Sequence, residues 1–182
     1  MIFLFSLCAC ATLKKEIITK GNANEAINNA VSDFIHTERS IQKKDNAFWV
    51  YADTVKNNIV VTIIGDSNKV LLIKEDGNYS YRDFPTILIE SDEKIFLGYE
   101  KEGETTDTII NTLYRYNFVD TMIVNTYIPD RMIDESKKGV IYFFCKNDLS
   151  VYKKIHTNTI AKHHKHPQLK CIKSAESGKK NQ

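Results

Sequence analysis

The chain has 182 residues, 42% of them hydrophobic and 26% charged, which is typical of one folded globular domain. After the first ten residues no stretch approaches the roughly 20 apolar residues of a membrane-spanning helix, so we expect any membrane attachment through the N-terminus. The formal net charge of +2 hides an asymmetry, because residues 153–182 hold eight lysines against one acid and leave a body of net charge −5.

The chain begins with a short apolar run, residues 2–7, followed by Cys8, Ala9 and Cys10. The tetrad that ends in Cys10 resembles the lipobox of bacterial lipoproteins, in which a leucine, a tolerant position and a small residue precede the lipidated cysteine. The resemblance implies that residues 1–10 are a type II signal peptide with its lipobox cysteine, and that Cys10 becomes a lipid-modified N-terminus. Signal peptides start with a positively charged segment, so we also expect coding sequence upstream.

A helix is predicted after a tether that covers residues 11–21. Asn22 and Glu25 have the spacing of a capping box, in which side chains at a helix start bond to backbone N–H groups. Apolar residues then recur every three or four positions, as on one face of a helix: Ala26, Ile27, Ala30, Val31, Phe34 and Ile35. The spacing predicts a long amphipathic helix from about residue 23 to 41.

Residues 48–99 contain six short runs of β-branched and aromatic residues separated by turn-forming residues. Asp76-Gly77 between two of these runs is typical of a β-hairpin, because both residues tolerate the positive φ of a type I′ turn. Connections this short favour pairing between consecutive strands. The pattern therefore predicts an antiparallel meander of five or six strands, with residues 59–64 at its centre because they are apolar on both faces.

Residues 106–118 have an apolar spacing that fits both a helix and a strand. A polar loop precedes them, and Thr106 or Asp107 is available as a helix N-cap. We favour a second, short helix that ends near Asn117.

A strand over residues 122–128 and a C-terminal hairpin of strands 140–145 and 149–155 complete the predicted domain, which covers residues 22–160. The predicted fold class is α+β. A long N-terminal amphipathic helix packs on a mainly antiparallel meander sheet, and the short second helix and the hairpin are added to it.

Residues 161–182 are predicted to form a basic, disordered tail. The tail contains His163, His164 and His166, and histidine-rich tracts bind divalent metals. Interleaved lysines oppose a cation, and no carboxylate lies in the tract. The three histidines are therefore weak metal candidates, and we expect no metal and no cofactor.

Two cysteines, Cys145 and Cys171, remain outside the leader. In an oxidising compartment they can pair as a disulfide that closes a loop of about 26 residues. Alternatively, Cys145 is a free, buried thiol in a strand and Cys171 is an unrelated thiol of the tail. The sequence leaves both interpretations open.

Aromatic residues provide the candidate binding surface. Trp49 and Tyr51 share one strand face, as do Tyr79 and Tyr81, and exposed rings of these types give rigid contact area at low entropic cost. The alternative is that these rings pack beneath the helices. No nucleophile elbow, phosphate-binding loop, zinc-protease helix or dinucleotide fingerprint occurs in the sequence, so no catalytic residue is assigned.

These features predict a lipoprotein of the bacterial cell envelope, anchored to a membrane by its lipid, with its soluble domain in the periplasm or at the outer surface. The domain is expected to bind an unidentified protein or glycan, and no nucleic acid. One alternative is an envelope hydrolase in which His36, at the margin of the first helix, pairs with a carboxylate. Another is an immunity or inhibitor lipoprotein.

Overall fold

The computed structural model describes residues 22–65, 69–75, 78–82, 84–100, 103–123, 138–157 and 170–171. Within them the chain has three helices, α1 (Asn22–Thr37), α2 (Arg39–Gln42) and α3 (Asp107–Arg115). It also has nine strands: β1 (Ala47–Val55), β2 (Asn58–Gly65), β3 (Val70–Glu75), β4 (Asn78–Arg82), β5 (Ile87–Ser91), β6 (Lys94–Gly98), β7 (Val119–Ile123), β8 (Gly139–Cys145) and β9 (Asp148–Thr157). None of the helices in this part of the chain is long and apolar enough to cross a membrane.

The strands form a main sheet of six, in the order β5-β6-β1-β2-β8-β9, and a small sheet of three, in the order β4-β3-β7. Most neighbours are antiparallel, whereas β1 with β6 and β3 with β7 are parallel pairs. The α+β class and the mainly antiparallel sheet predicted from the sequence are confirmed.

The predicted meander is wrong, because β2 and β3 are in different sheets and β2 pairs with β8 instead. Every residue of β2 and of β8 is buried, whereas β3 contains Lys74 and Glu75. Pairing the two fully buried strands shields more apolar surface from water, and this gain outweighs the entropic cost of closing a longer loop. β2 lies between β1 and β8, in agreement with the central position predicted for residues 59–64.

α1 packs its apolar face on one side of the main sheet. The ring of Phe34 lies 5.0 Å from the ring of Phe48 on β1 and 6.0 Å from the ring of Phe96 on β6. All three side chains are fully buried. The apolar spacing that predicted the helix is therefore the spacing of its contacts with the sheet.

The structure divides the predicted helix of residues 23–41 at Glu38, whose backbone leaves the helical region (φ −100°, ψ 40°) before α2 begins. The side-chain amide of Gln42 donates to the carbonyl oxygens of Phe34 and Ile35 at 2.6 and 3.0 Å. It therefore binds backbone carbonyls near the C-terminal end of α1. The break turns the Glu38 carboxylate toward β9, where basic side chains bind it.

α3 covers the opposite side of the main sheet, since neighbouring residues of a strand point to opposite faces. Ile109 and Leu113 form a second buried cluster with Trp49 of β1 and Leu97 of β6. Thr106 is the N-cap, because its side-chain oxygen accepts from the N–H of Ile109 at 3.4 Å. The helix favoured for residues 106–118 is confirmed.

The end of α3 has the geometry of a Schellman motif. Asn117 adopts a φ of 53°, a left-handed conformation that asparagine tolerates. The N–H of Phe118 donates to the carbonyl of Leu113 at 2.8 Å, and the N–H of Asn117 to that of Tyr114 at 2.9 Å. β7 then begins earlier than the strand predicted over residues 122–128, of which 124–128 lie outside the described residues.

β8 and β9 form an antiparallel pair at one edge of the main sheet. Cys145, at the end of β8, is joined to Cys171 by a disulfide, with the two Cα atoms 5.5 Å apart. The structure thus has the paired form of these cysteines. The disulfide lies beside the start of β2, where the side-chain amide nitrogen of Asn58 is 3.1 Å from the sulfur of Cys171.

Candidate functional site

A cluster of charged and hydroxyl side chains joins the end of α1 to β8 and β9. Its acids lie on the last turns of α1 and at the helix break, and its bases lie at alternate positions of β9, which share the side of the main sheet that faces α1. We call this cluster the clasp, and it consists of Asp33, Thr37, Glu38, Tyr142, Tyr152, Lys154 and His156.

Lys154 bridges the two carboxylates of the clasp. Its Nζ lies 2.9 Å from Asp33 Oδ2 and 2.9 Å from Glu38 Oε1, and it donates to the hydroxyl of Thr37 at 2.7 Å. Only 15% of the Asp33 side chain and 7% of the Glu38 side chain are exposed. A cation in this position compensates two carboxylates that are largely shielded from water.

Two tyrosines and a histidine also bind the carboxylate oxygens of the clasp. The Tyr152 hydroxyl donates to Asp33 Oδ1 at 2.6 Å, and the Tyr142 hydroxyl donates to Asp33 Oδ2 at 3.0 Å. His156 Nε2 lies 2.8 Å from Glu38 Oε2. All four carboxylate oxygens are therefore engaged within the fold.

The clasp favours the charged forms of Asp33, Glu38 and Lys154. Burial alone would raise the pKa of Asp33, but hydrogen bonds from the two tyrosines and Lys154 outweigh it and lower the pKa. Bonds from Lys154 and His156 overcome burial in the same way and lower the pKa of Glu38. Burial acts to lower the pKa of Lys154, but its bonds to both carboxylates raise it. A general acid or base works best with a pKa near the working pH, so Asp33, Glu38 and Lys154 are suited to fastening α1.

The hydrolase alternative requires a carboxylate beside His36. His36 is exposed, and its Nδ1 lies 2.6 Å from the carbonyl oxygen of Ser32. Of the histidines in the described residues, His156 is the one that contacts a carboxylate. Short-range sequence patterns do not predict this contact, because 118 positions separate His156 from Glu38. Its only local signal was the alternation of tyrosine, lysine and histidine along β9.

The predicted aromatic surface is divided between the two sheets. Trp49 and Tyr51 lie on β1 of the main sheet, and Tyr79 and Tyr81 lie on β4 of the small sheet. Trp49 is only 4% exposed, as in the alternative in which the rings pack in the core, whereas Tyr51 is 37% exposed.

The structure adds a ring that the sequence analysis did not select. Tyr99 follows β6, and its ring stacks on that of Trp49 with the centroids 5.1 Å apart and the planes 14° from parallel. Tyr99 is 48% exposed. Because β1 and β6 are parallel neighbours, Tyr51 and Tyr99 flank the point where β6 ends, and they form the exposed part of an aromatic surface backed by Trp49.

β6 pairs only with the first four residues of β1, Ala47–Val50. After Tyr99 the chain turns toward β5, where the N–H of Glu100 donates to the side-chain oxygen of Thr86 at 2.6 Å. Within the part of the chain that the structure describes, the rest of β1 pairs with β2 alone. We call the segment of β1 that β6 does not reach, Tyr51–Val55, the open edge.

Even-numbered residues of β1 direct their backbone groups away from β2. The carbonyl of Asn46, just before β1, accepts from the N–H of Ile95 on β6 at 2.9 Å, and alternation carries this direction along the strand. Ala52 and Thr54 therefore present their backbone groups to the open edge. The N–H of Thr54 is bound by the carboxylate of the adjacent Asp53, with 2.6 Å between nitrogen and Oδ1. Residues 52–54 are all exposed.

The described residues contain no group of three histidine, cysteine or acidic side chains arranged to hold a metal ion. The predicted leader (1–10) with Cys10, the predicted tether (11–21) and the candidate ligands His163, His164 and His166 lie outside them. Comparison with known proteins finds no matching family model, no similar curated protein and no similar solved structure.

Proposed function

We propose that the chain is a lipoprotein of the bacterial cell envelope whose domain binds another macromolecule. The observation that carries the binding role is the aromatic surface of Tyr51 and Tyr99 beside the open edge. Its rings and backbone groups are accessible, whereas the charged groups of the clasp are engaged by the fold. Tyrosine and tryptophan rings are the side chains that most often dominate binding energy at interfaces.

The disulfide between Cys145 and Cys171 supports an oxidising compartment, because structural disulfides persist mainly in exported proteins. The lipobox-like tetrad ending in Cys10 supports export with a lipid anchor on a membrane of the envelope. In this proposal the mechanism is passive. The anchor raises the local concentration of the domain near its partner, which is a protein or a glycan of the envelope. An immunity or inhibitor lipoprotein would be one form of this activity.

Metabolic labelling with an alkyne analogue of palmitate tests the anchor. The full chain, expressed in a bacterium with its upstream start restored, should be labelled and should sediment with membranes. Cys10→Ser should abolish the label, and Cys8→Ser, the matched control two positions away, should retain it. An unlabelled wild-type chain, or equal labelling of Cys10→Ser, would contradict the proposal.

Affinity capture from envelope extracts tests the binding surface. A partner retained by the wild-type chain should be lost with the double variant Tyr51→Ala/Tyr99→Ala. Tyr114→Ala is the control, because Tyr114 is also 48% exposed and belongs to α3, not to β1 or β6. Equal retention by the double variant would exclude the aromatic surface as the binding site.

A further inference from the structure

We propose that the open edge binds an extended peptide strand of another protein, with a basic side chain opposite Asp53 and an apolar side chain against Tyr51. The inference rests on the proposed binding function and specifies its partner. The added strand would continue the line of β6, which leaves the side of β1 after Val50.

The backbone of the open edge supplies the first part of the argument. Ala52 has an outward N–H and carbonyl, and Thr54 has an outward carbonyl, as the alternation from Asn46 requires. Unpaired strand edges are templates for a further strand, and recognition by strand addition draws its affinity from such main-chain bonds.

Asp53 supplies the second part. Its carboxylate occupies the outward N–H of Thr54, which shields that donor while the edge is empty. A carbonyl of an incoming strand would take over this donor and release the carboxylate. The freed carboxylate then faces the incoming strand, where a lysine or arginine side chain would pair with it.

The charges around the open edge favour the same partner. Asp53 and Glu100, which follows the ring of Tyr99, are both exposed. Neither carboxylate has an ion pair within the described residues. Lys56, in the turn after β1, is one described base near this segment. The two exposed carboxylates favour a basic peptide over an acidic one.

The outer edge of the same sheet shows the contrast expected of a protected strand. β9 carries Lys153 and Lys154 in its middle, and the β8–β9 pairing has a register shift near Cys145. Lysines and bulges are the usual devices that keep sheet edges from pairing with other chains. The open edge of β1, from Tyr51 to Val55, contains no lysine and no proline.

A display library of random heptapeptides, selected on the full chain with its disulfide intact, provides the probe. Selected peptides should alternate β-branched or aromatic residues with polar ones and should contain lysine or arginine.

Fluorescence anisotropy of these peptides, carrying a fluorescent label, then compares their affinities for variants of the chain. Ala52→Pro removes an outward N–H and should weaken binding about tenfold or more, whereas the matched variant Ala52→Ser keeps the N–H and should bind much more tightly than Ala52→Pro. Asp53→Lys should weaken the binding of basic peptides about tenfold and should change the binding of peptides with glutamine in the basic position much less.

Thermal denaturation of each variant controls for folding. If Ala52→Pro melts well below Ala52→Ser, Thr54→Pro replaces it, because the N–H of Thr54 also points outward. Amide hydrogen exchange gives an independent readout, since exchange at Ala52 should slow when the selected peptide is added.

Five results would overturn the proposal. The first is a selection that yields no peptide, and the second is a set of peptides that bind Ala52→Pro and the wild type equally. A concentration-dependent dimer that Ala52→Pro abolishes would assign the edge to a second copy of the chain. Binding that requires removal of residues 172–182 would assign it to the chain's own tail, which follows Cys171 beside the β1–β2 turn. Partner loss with Tyr51→Ala/Tyr99→Ala but not with Ala52→Pro would leave the binding function standing and overturn strand addition alone.

Discussion

The clasp and the open edge belong to the same sheet, but their polar groups are in opposite states. In the clasp, each oxygen of Asp33 and Glu38 has a donor, and Lys154 contacts acceptors on three residues. At the open edge, Ala52 presents backbone groups to solvent, and among the described residues the Asp53 carboxylate binds the N–H of Thr54. The polar groups of the clasp bind one another, whereas the outward backbone groups of Ala52 bond to water or to a partner.

This difference indicates which polar residues serve the fold and which are available for binding. A polar group that is shielded from water destabilises the protein unless it has a partner, so the groups of the clasp are committed to the native structure. A strand edge in water stays solvated at little cost and can exchange that water for another strand. Exposure and unsatisfied backbone groups, more than charge, therefore locate the candidate binding surface.

A smaller cluster at α3 follows the pattern of the clasp. Arg115 and Tyr116, at the end of α3, both bind the carboxylate of Glu90 on β5. The Tyr116 hydroxyl lies 2.9 Å from Glu90 Oε1, and burial together with this carboxylate raises the pKa of Tyr116 to about 12. Both longer helices are thus fastened to the main sheet by a carboxylate.

Removing the cation of the clasp should have the largest effect. Lys154→Met leaves the carboxylates of Asp33 and Glu38 shielded without a counter-charge, and should lower the free energy of unfolding by about 3 kcal/mol. Urea unfolding followed by circular dichroism measures the loss. Lys153→Met, at the exposed neighbouring position, should change it by less than about 0.5 kcal/mol. Equal losses in the two variants would show that the clasp does not stabilise the fold.

Acid should weaken the clasp. Because the folded-state pKa values of Asp33 and Glu38 are lowered, their stabilisation is complete above the pKa of unfolded carboxyls, about 4, and is lost as the pH falls through the folded values. The free energy of unfolding, measured from about pH 6 to about pH 2, should fall more steeply for the wild type than for Asp33→Asn/Glu38→Gln. Lys153→Met should keep the wild-type slope. Parallel profiles of the wild type and the double variant would contradict this assignment.

A single hydroxyl of the clasp should have a moderate effect. Tyr142→Phe removes a hydrogen bond to the charged Asp33 in a buried position, and we expect a loss of about 1.5 kcal/mol in unfolding free energy. Tyr114→Phe, which alters a tyrosine that is 48% exposed, is the control and should be neutral within about 0.5 kcal/mol. A neutral Tyr142→Phe would mean that water replaces the lost donor.

The smallest effect on stability is expected at the open edge. Ala52→Pro removes an N–H that faces away from β2, so thermal denaturation should show a loss of less than about 1 kcal/mol. Asp53→Pro, one residue further, removes an N–H that faces β2 and should cost about 3 kcal/mol. If both prolines destabilise equally, the edge at Ala52 is not open.

Much of the local structure could be predicted from the sequence, because short-range periodicity and capping residues decide it. The apolar spacing identified the sheet-facing side of α1, Thr106 was one of two N-caps considered for α3, and residues 59–64 were placed at the centre of the sheet. Trp49 and Tyr51 were selected as aromatic candidates, but the sequence could not separate the buried ring from the exposed one.

Only the tertiary structure decided which distant strands became neighbours. The pairing of β2 with β8 and of β1 with β6 depends on which arrangement buries the most apolar surface. Short-range sequence patterns do not distinguish between alternative pairings of distant strands. The clasp, which joins Glu38 to His156, and the open edge, which begins where β6 ends, are both consequences of that arrangement. The sequence by itself determined the elements and one candidate anchor, Cys10. The packing of the sheet determined which polar groups are engaged by the fold and which remain open to a partner.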